Sequence, residues 1–351
     1  MHSLDLEVLA TSLRWWQAGH AIQLVTVVKT WGSSPRPEGA MLAIRDDGAI
    51  VGSVSGGCIE DDFIARVRCA ERVQALPQCV TYGVTAEEAR RFGLPWGVTI
   101  QLVIEPLTEH SSIDELLSAL ERGQLVARTL DMRTGKASAS LPVRDAPLAF
   151  EGKTLRVVHG PQYRLLVIGA GDLSRFLCDI AKSLGYQVTV CDPREGYMLH
   201  WEIESVNTVR SMPDDAVLEM ALDERCALIA LTHDPKLDDL ALMEALRTPA
   251  FYVGALGSIK NNAARRKRLR LFDVESDDLA RLRGPAGLYI GSKTPPEIAI
   301  SILAELTAYR NGVRVPRSAT VEGGKRHRDV SMRRDVELGV LNRPENSNSG
   351  L

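Results

Sequence analysis

The sequence lacks the cysteine spacing that marks a metal site. Its six cysteines, Cys58, Cys69, Cys79, Cys178, Cys191 and Cys226, show no Cys-x-x-Cys pattern, which argues against structural zinc and against a disulfide framework. A reducing cytoplasm is the expected home. Excess charge is also missing. The chain has 42 Lys and Arg against 45 Asp and Glu, a net charge of -3, so no nucleic-acid footprint is expected. No apolar run approaches the ~20 residues of a membrane span. Met1–Leu9 has no basic stretch leading into an apolar one, so no secretory signal is expected. What is present is an ordinary globular mixture, 45% hydrophobic and 25% charged over 351 residues. That is enough for two domains with cores of their own.

Periodicity divides the chain. Leu4–Ala18 reads as an amphipathic helix and Ile22–Val28 as a strand. The loop Thr30-Trp-Gly-Ser-Ser-Pro-Arg-Pro-Glu-Gly39 follows. Strands are expected at Ala40–Ile44, Ile50–Val54, Cys79–Tyr82 and Val98–Ile104, with a helix over Glu60–Val73. Ser112–Val158 reads as a helix and short strands extending this first domain, residues 1–160. From Arg164, apolar runs alternate with helical patterns. Strands are expected at Arg164–Ile168, Gly185–Asp192, Ala227–Leu231, Phe251–Ala255 and Leu288–Ile290. That alternation predicts a Rossmann-like, doubly wound parallel sheet over 161–310, behind an N-terminal α+β domain. Residues 311–351 turn polar and aperiodic and read as a mobile tail.

Two segments carry chemistry. Gly169-Ala-Gly171 follows a strand and opens a helix, and Asp192 ends the next strand. Gly169 suits the tight turn and Gly171 a close backbone approach to phosphate. Asp192 stands where a ribose-binding acid is expected. The same glycines can also do no more than make the fold. In the first domain, Ser55-Gly56-Gly57-Cys58-Ile-Glu60 joins a strand to a helix. Two glycines permit unusual backbone angles, and a helix N-terminus favours a thiolate at Cys58, partly offset by Glu60. Upstream, Ser33, Ser34 and Arg36 offer hydroxyls and a guanidinium to an anion. A glycine turn around a small buried cysteine is the competing reading, and the other five cysteines read as inert core residues.

Further candidates line the C-terminal strand edge. His233 follows Ala227–Leu231, Gly257 follows Phe251–Ala255, and Lys293-Thr294 precede a helix that Thr294 can cap. Asp238 and Asp239 either bind a cation or open a helix. Arg265-Arg-Lys-Arg268 reads as a solvated helix face or a docking surface.

Several segments in order resemble the XdhC/CoxI family of molybdenum-hydroxylase maturation proteins. In the first domain these are Val25–Arg36 and Gly52–Glu60. In the second they are Leu166–Gly171, Leu231–Asp238, Tyr252–Ser258 and Ile290–Ala299. The resemblance implies a chaperone, rather than an enzyme, that binds and protects molybdenum cofactor (molybdopterin). It implies sulfuration with a cysteine desulfurase and delivery to a xanthine dehydrogenase-type hydroxylase. The cysteine of the family's Ser-Gly-Gly-Cys motif corresponds to Cys58, the expected contact to molybdenum or its sulfur. The sequence departs from the family pattern where Leu94-Pro-Trp-Gly97 replaces a Cys-Gly-Gly element, and at Asp172, Ile259 and Tyr289. A homodimer is expected. Two other functions stay open: an NAD(P)-dependent oxidoreductase using the Rossmann-like half, and a scaffold joining desulfurase to apo-hydroxylase. Against the first, no Tyr-x-x-x-Lys proton donor is evident.

Overall fold

A computed structural model describes residues 4–32, 34, 36–68, 75–83, 99–122, 124–141, 147–160, 163–199 and 201–326, with only the backbone described at 58 and 66–68. The chain divides into two compact units, Met1–Gln162 and Tyr163–Leu351.

The first unit contains α1 (Leu4–Gln17), β1 (Ile22–Trp31), β2 (Met41–Arg45), β3 (Ile50–Gly52), α2 (Cys58–Arg68), β4 (Gln78–Tyr82) and β5 (Thr99–Pro106). Its five strands form an antiparallel sheet in the order β3-β2-β1-β5-β4. Alternate side chains leave opposite faces of such a sheet. Val25, Val27, Leu42 and Ile44 pack against Ile59 and Phe63 of α2. Leu24, Met41 and Ala43 pack against Val8 and Leu9 of α1. The segment read as an extension builds a sheet of its own. After α3 (Ile113–Glu121) come β6 (Val126–Asp131), β7 (Ala137–Ser140), β8 (Leu148–Phe150) and β9 (Thr154–His159), in the order β7-β6-β9-β8. Arg128 in β6 and Glu105 in β5 form a buried, two-pronged ion pair that ties the two sheets.

The second unit is the doubly wound sheet. Its strands are β10 (Tyr163–Ile168), β11 (Tyr186–Cys191), β12 (Asn207–Val209), β13 (Cys226–Ala230), β14 (Tyr252–Ala255) and β15 (Leu282–Arg283). All pair in parallel in the order β12-β11-β10-β13-β14-β15. β13 and β14 are buried end to end, as strands covered on both faces must be. Leu165 and Val167 meet α4 (Asp172–Ser183) and α10 (Pro295–Arg310) on one face. Leu166 and Ile168 meet α6 (Pro213–Met220), α7 (Pro235–Leu246) and α8 (Ile259–Leu271) on the other. Two short helices, α5 (Glu195–Met198) and α9 (Ser276–Arg281), also belong to this unit.

Two expectations change. Leu288–Ile290 is not a strand of the sheet. Leu288 makes one isolated bridge to Thr320, and the two-residue β15 takes the edge position instead. The polar segment from Asn311 is ordered as far as it is described. It contains a 3-10 turn at Arg317–Ala319, and Tyr289 and Val321 donate backbone hydrogen bonds to Ala319 and Gly287. The remainder, 327–351, lies outside the described residues.

Candidate functional site

In the first unit the Ser-Gly-Gly-Cys segment is organised by Glu60. This carboxylate sits in the first turn of α2 and is 3% exposed. Its Oε1 accepts from Ser53 Oγ at 2.8 Å, Val54 N at 2.7 Å and Ser55 N at 2.9 Å. Its Oε2 accepts from Gly57 N at 2.9 Å and from Ser55 Oγ. Burial opposes the charge, but the bonds from Ser55 and Ser53 outweigh it and hold the pKa at about 2. The acceptor positions of Glu60, a candidate cofactor-binding residue by its place in the Ser-Gly-Gly-Cys segment, are filled by the loop itself.

The bend so held is open. Gly56 and Gly57 are exposed at φ 88° and 137°, angles that favour glycine, and a Cβ on Gly57 would meet nothing within 4 Å. The loop before β2 is fastened to it. Arg36 Nε donates to Ser53 O at 3.2 Å, and Ser34 Oγ donates to Arg36 O at 2.9 Å. Arg36 Nη1 and Nη2 make no hydrogen bond among the described residues. The fold thus joins Ser34, Arg36, Ser55, Gly56, Gly57 and the start of α2 at Cys58. Ser33, the Cys58 side chain and Leu94–Gly97 lie outside the described residues. Sequence reasoning missed Ser53, which links Glu60 to Gly56 N. It also missed Asp5, whose carboxyl is pushed up by burial against the opposing charge of Arg36.

In the second unit, strand order reverses between β10 and β13, which is where open α/β sheets place ligands. Gly169, at φ 108°, is needed there because a Cβ would sit 2.9 Å from Thr232 Cγ2. Ser174, in the third-glycine position, is buried and donates to Gly169 O at 2.6 Å. Gly171 caps α4, and a Cβ at that position would meet nothing within 4 Å.

Asp192, expected from its spacing to meet a ribose, is engaged by the protein itself. Its Oδ2 accepts from Ala170 N at 2.9 Å and Arg194 Nη2 at 2.7 Å, and its Oδ1 accepts from Arg194 N and Nε. A carboxylate has about four acceptor sites, and all are taken. Burial is outweighed by Arg194 and the Ala170 amide, which hold its pKa below the usual range. Asp192 ties the glycine turn to the loop after β11.

His233 is exposed, at φ 63°, directly after Thr232. Its turn is pinned by Asp238, which accepts from Thr232 N at 3.1 Å and Thr232 Oγ1 at 2.6 Å. Asp238 and Asp239 hold Arg265 rather than a cation: Arg265 Nη2 reaches Asp238 at 2.8 Å and Nε reaches Asp239 at 3.1 Å. The basic run is accordingly not a solvated face. Arg265 is buried, Arg268 also pairs with Asp239, and Arg266 donates to the Leu279 and Leu282 carbonyls. Gly257 stands at φ 135° before the Ser258 cap of α8. Lys293 is exposed, and its amide, with that of Thr294, is bound by Glu297 in a capping box. That is a structural role, and no side-chain bond of Lys293 joins it to the glycine turn among the described residues.

Burial raises the Cys178 and Cys191 thiols to about 12 and Cys226 to about 11, fitting inert core residues. Cys79 instead points outward from β4. No group of three or more His, Cys, Asp or Glu able to hold a metal occurs among the described residues, nor does a helix long and apolar enough to cross a membrane.

The molybdenum cofactor insertion chaperone PaoD of Escherichia coli is 25% identical over 312 residues, 86% of this chain and 88% of that one. A probable xanthine dehydrogenase subunit of Bacillus subtilis is 25% identical over 320 residues, 83% of this chain and 94% of its own. A crystal structure described as a xanthine dehydrogenase from Bacillus halodurans shares the fold, with a TM-score of 0.65 and 24% identity over 91% of this chain and 98% of that one. The model of the XdhC and CoxI family matches residues 15–83, the XdhC Rossmann domain matches residues 165–306, and the chain belongs to the XdhC and CoxI family.

Proposed function

We propose that this protein carries molybdenum cofactor as cargo and hands it to a xanthine dehydrogenase-type hydroxylase. The observation that carries the reading is the exposed Gly56–Gly57 bend at the start of α2, held in shape by Glu60 and fastened to Arg36. A guanidinium whose Nη1 and Nη2 make no hydrogen bond among the described residues suits the cofactor's phosphate. A cysteine at a helix N-terminus suits a soft metal or its sulfur. The names of the relatives point the same way. Cys58 is the proposed contact to molybdenum, with Arg36, Ser34, Ser55 and the glycine amides around the pterin phosphate. The protein works in the cytoplasm, as a homodimer, with a cysteine desulfurase supplying sulfur to the cargo. A nicotinamide-dependent activity is not favoured, since Asp192 has no acceptor left for a ribose hydroxyl.

The test is transfer. Full-length protein is mixed with molybdenum cofactor, passed through gel filtration, and added to an apo-hydroxylase of the xanthine dehydrogenase type. Co-elution followed by a gain of hydroxylase activity is expected. Activation without co-elution would leave a scaffold in place of a carrier.

A further inference from the structure

A cavity of about 310 Å³ lies beside β15, at the edge of the parallel sheet and away from the strand-order reversal. Its wall includes Val315, Arg317, Thr320 and Glu322 from the segment that returns along the unit after α10. The volume is at the lower end of small-molecule sites, about 300–1,000 Å³, and far above the ~30 Å³ share of one water.

Its polar groups are unevenly satisfied. Glu305 lines it and is 1% exposed. One oxygen, Oε2, accepts from Tyr252 Oη at 2.6 Å and Gly287 N at 2.6 Å. No donor reaches Oε1 among the described residues. Glu305 borders the cavity, so this oxygen is open to a donor within it. Across the same space stand three guanidinium groups, Arg266, Arg283 and Arg317, against two carboxylates, Glu305 and Glu322. Arg266 is bound to two carbonyls. Arg317 is 3.6 Å from Glu322 and its side chain is 77% exposed. Arg283 lies 4.6 Å over the Tyr309 ring and has no carboxylate partner among the described residues. The lining therefore carries one more guanidinium than carboxylate among the described residues, and no ion pair among them holds Arg283.

We propose that this cavity binds a small organic phosphate that also carries an N–H donor. The phosphate meets Arg283 and Arg317, and the donor meets Glu305 Oε1. Guanidinium forks match phosphate oxygens, and a buried carboxylate selects a base edge that donates over one that only accepts. This site is independent of the proposed cofactor role and uses none of its residues.

Guanosine 5′-monophosphate is the probe, since it has a phosphate at one end and N–H donors at the other. Calorimetric titration of the full chain should show saturable binding. Guanosine alone and inorganic phosphate alone should each bind at least about tenfold more weakly. Arg283→Gln and Arg317→Gln should each weaken the nucleotide by about tenfold or more, with unfolding temperature unchanged in Arg317→Gln because its side chain is exposed. No saturable binding at millimolar nucleotide would overturn the proposal, as would binding that both variants leave unchanged.

Discussion

Glu60→Gln is expected to loosen the Ser53–Gly57 bend and to cost about 3 kcal/mol of local stability at neutral pH. The magnitude follows from the carboxyl's fall from 4.5 to about 2 on folding, at ~1.4 kcal/mol per pKa unit. The sign follows from the direction of that fall. The folded value lies below the unfolded one, so the stabilisation is fully present above pH 4.5 and is lost as pH falls toward 2. The amide of glutamine turns a donor toward donors that now converge on a carboxylate, Ser53 Oγ, Ser55 Oγ and the amides of Val54, Ser55 and Gly57. Hydrogen exchange at those three amides reads the effect directly. It should accelerate by about a hundredfold at pH 7, and the difference from wild type should shrink below pH 4.5. The comparison with wild type matters because buried His159 adds a second acid response. Burial, with Arg128 nearby, lowers its pKa from 6.5 to about 3, so folding is progressively disfavoured as pH falls through that window. Unchanged exchange in Glu60→Gln would mean that the bend holds its shape without the carboxylate. Cofactor retention should fall together with the loop.

Arg265→Met should destabilise the second unit by about 3–5 kcal/mol, the usual cost of removing one partner from a buried ion pair. Two carboxylates lose their counter-ion: Asp238, which is 0% exposed, and Asp239, at 7%. Asp239 keeps Arg268, so Asp238 bears most of the loss. Burial already raises the Asp238 carboxyl, opposed by Thr232 and Arg265. Without Arg265 it takes a proton more readily, so the deficit should narrow as pH falls. Adding Asp238→Asn should recover part of the stability by removing the stranded charge. The Thr232–His233 turn should become mobile in the single variant, since Asp238 pins it. Urea unfolding followed in the second unit tests both points. A loss below about 1 kcal/mol, the range of a surface pair, would contradict the account.

Much of the second unit was legible because buried parallel strands and their helices write strong patterns. Arg164–Ile168 and Ala227–Leu231 fall within a residue or two of β10 and β13. The edge was not legible. Leu288-Tyr-Ile290 is apolar but pairs only once, whereas a two-residue strand at Leu282–Arg283 leaves no periodicity to read. Site residues divide along a different line. Glycines announce themselves, and Gly169 is where the turn needs one. Acids do not reveal their partner. Asp192 has the spacing of a ribose acid, yet Arg194, two residues on, fills it. Glu60 reads in the sequence as a first-turn acid beside Cys58 and serves as the bracket of its own loop. The basic run at 265–268 read as solvated because its partners, Asp238 and Asp239, come from a helix some 26 residues earlier. In each case the deciding contact is one that spacing alone leaves undetermined.

In the proposed function, Cys58 at the first unit's glycine bend contacts the molybdenum of the cargo. Molybdenum content measured on the full-length protein after incubation with the cofactor, beside a Cys58→Ala variant, tests it most directly. Metal retained by the wild type and largely lost from the variant is the predicted result; equal metal on both proteins would contradict it.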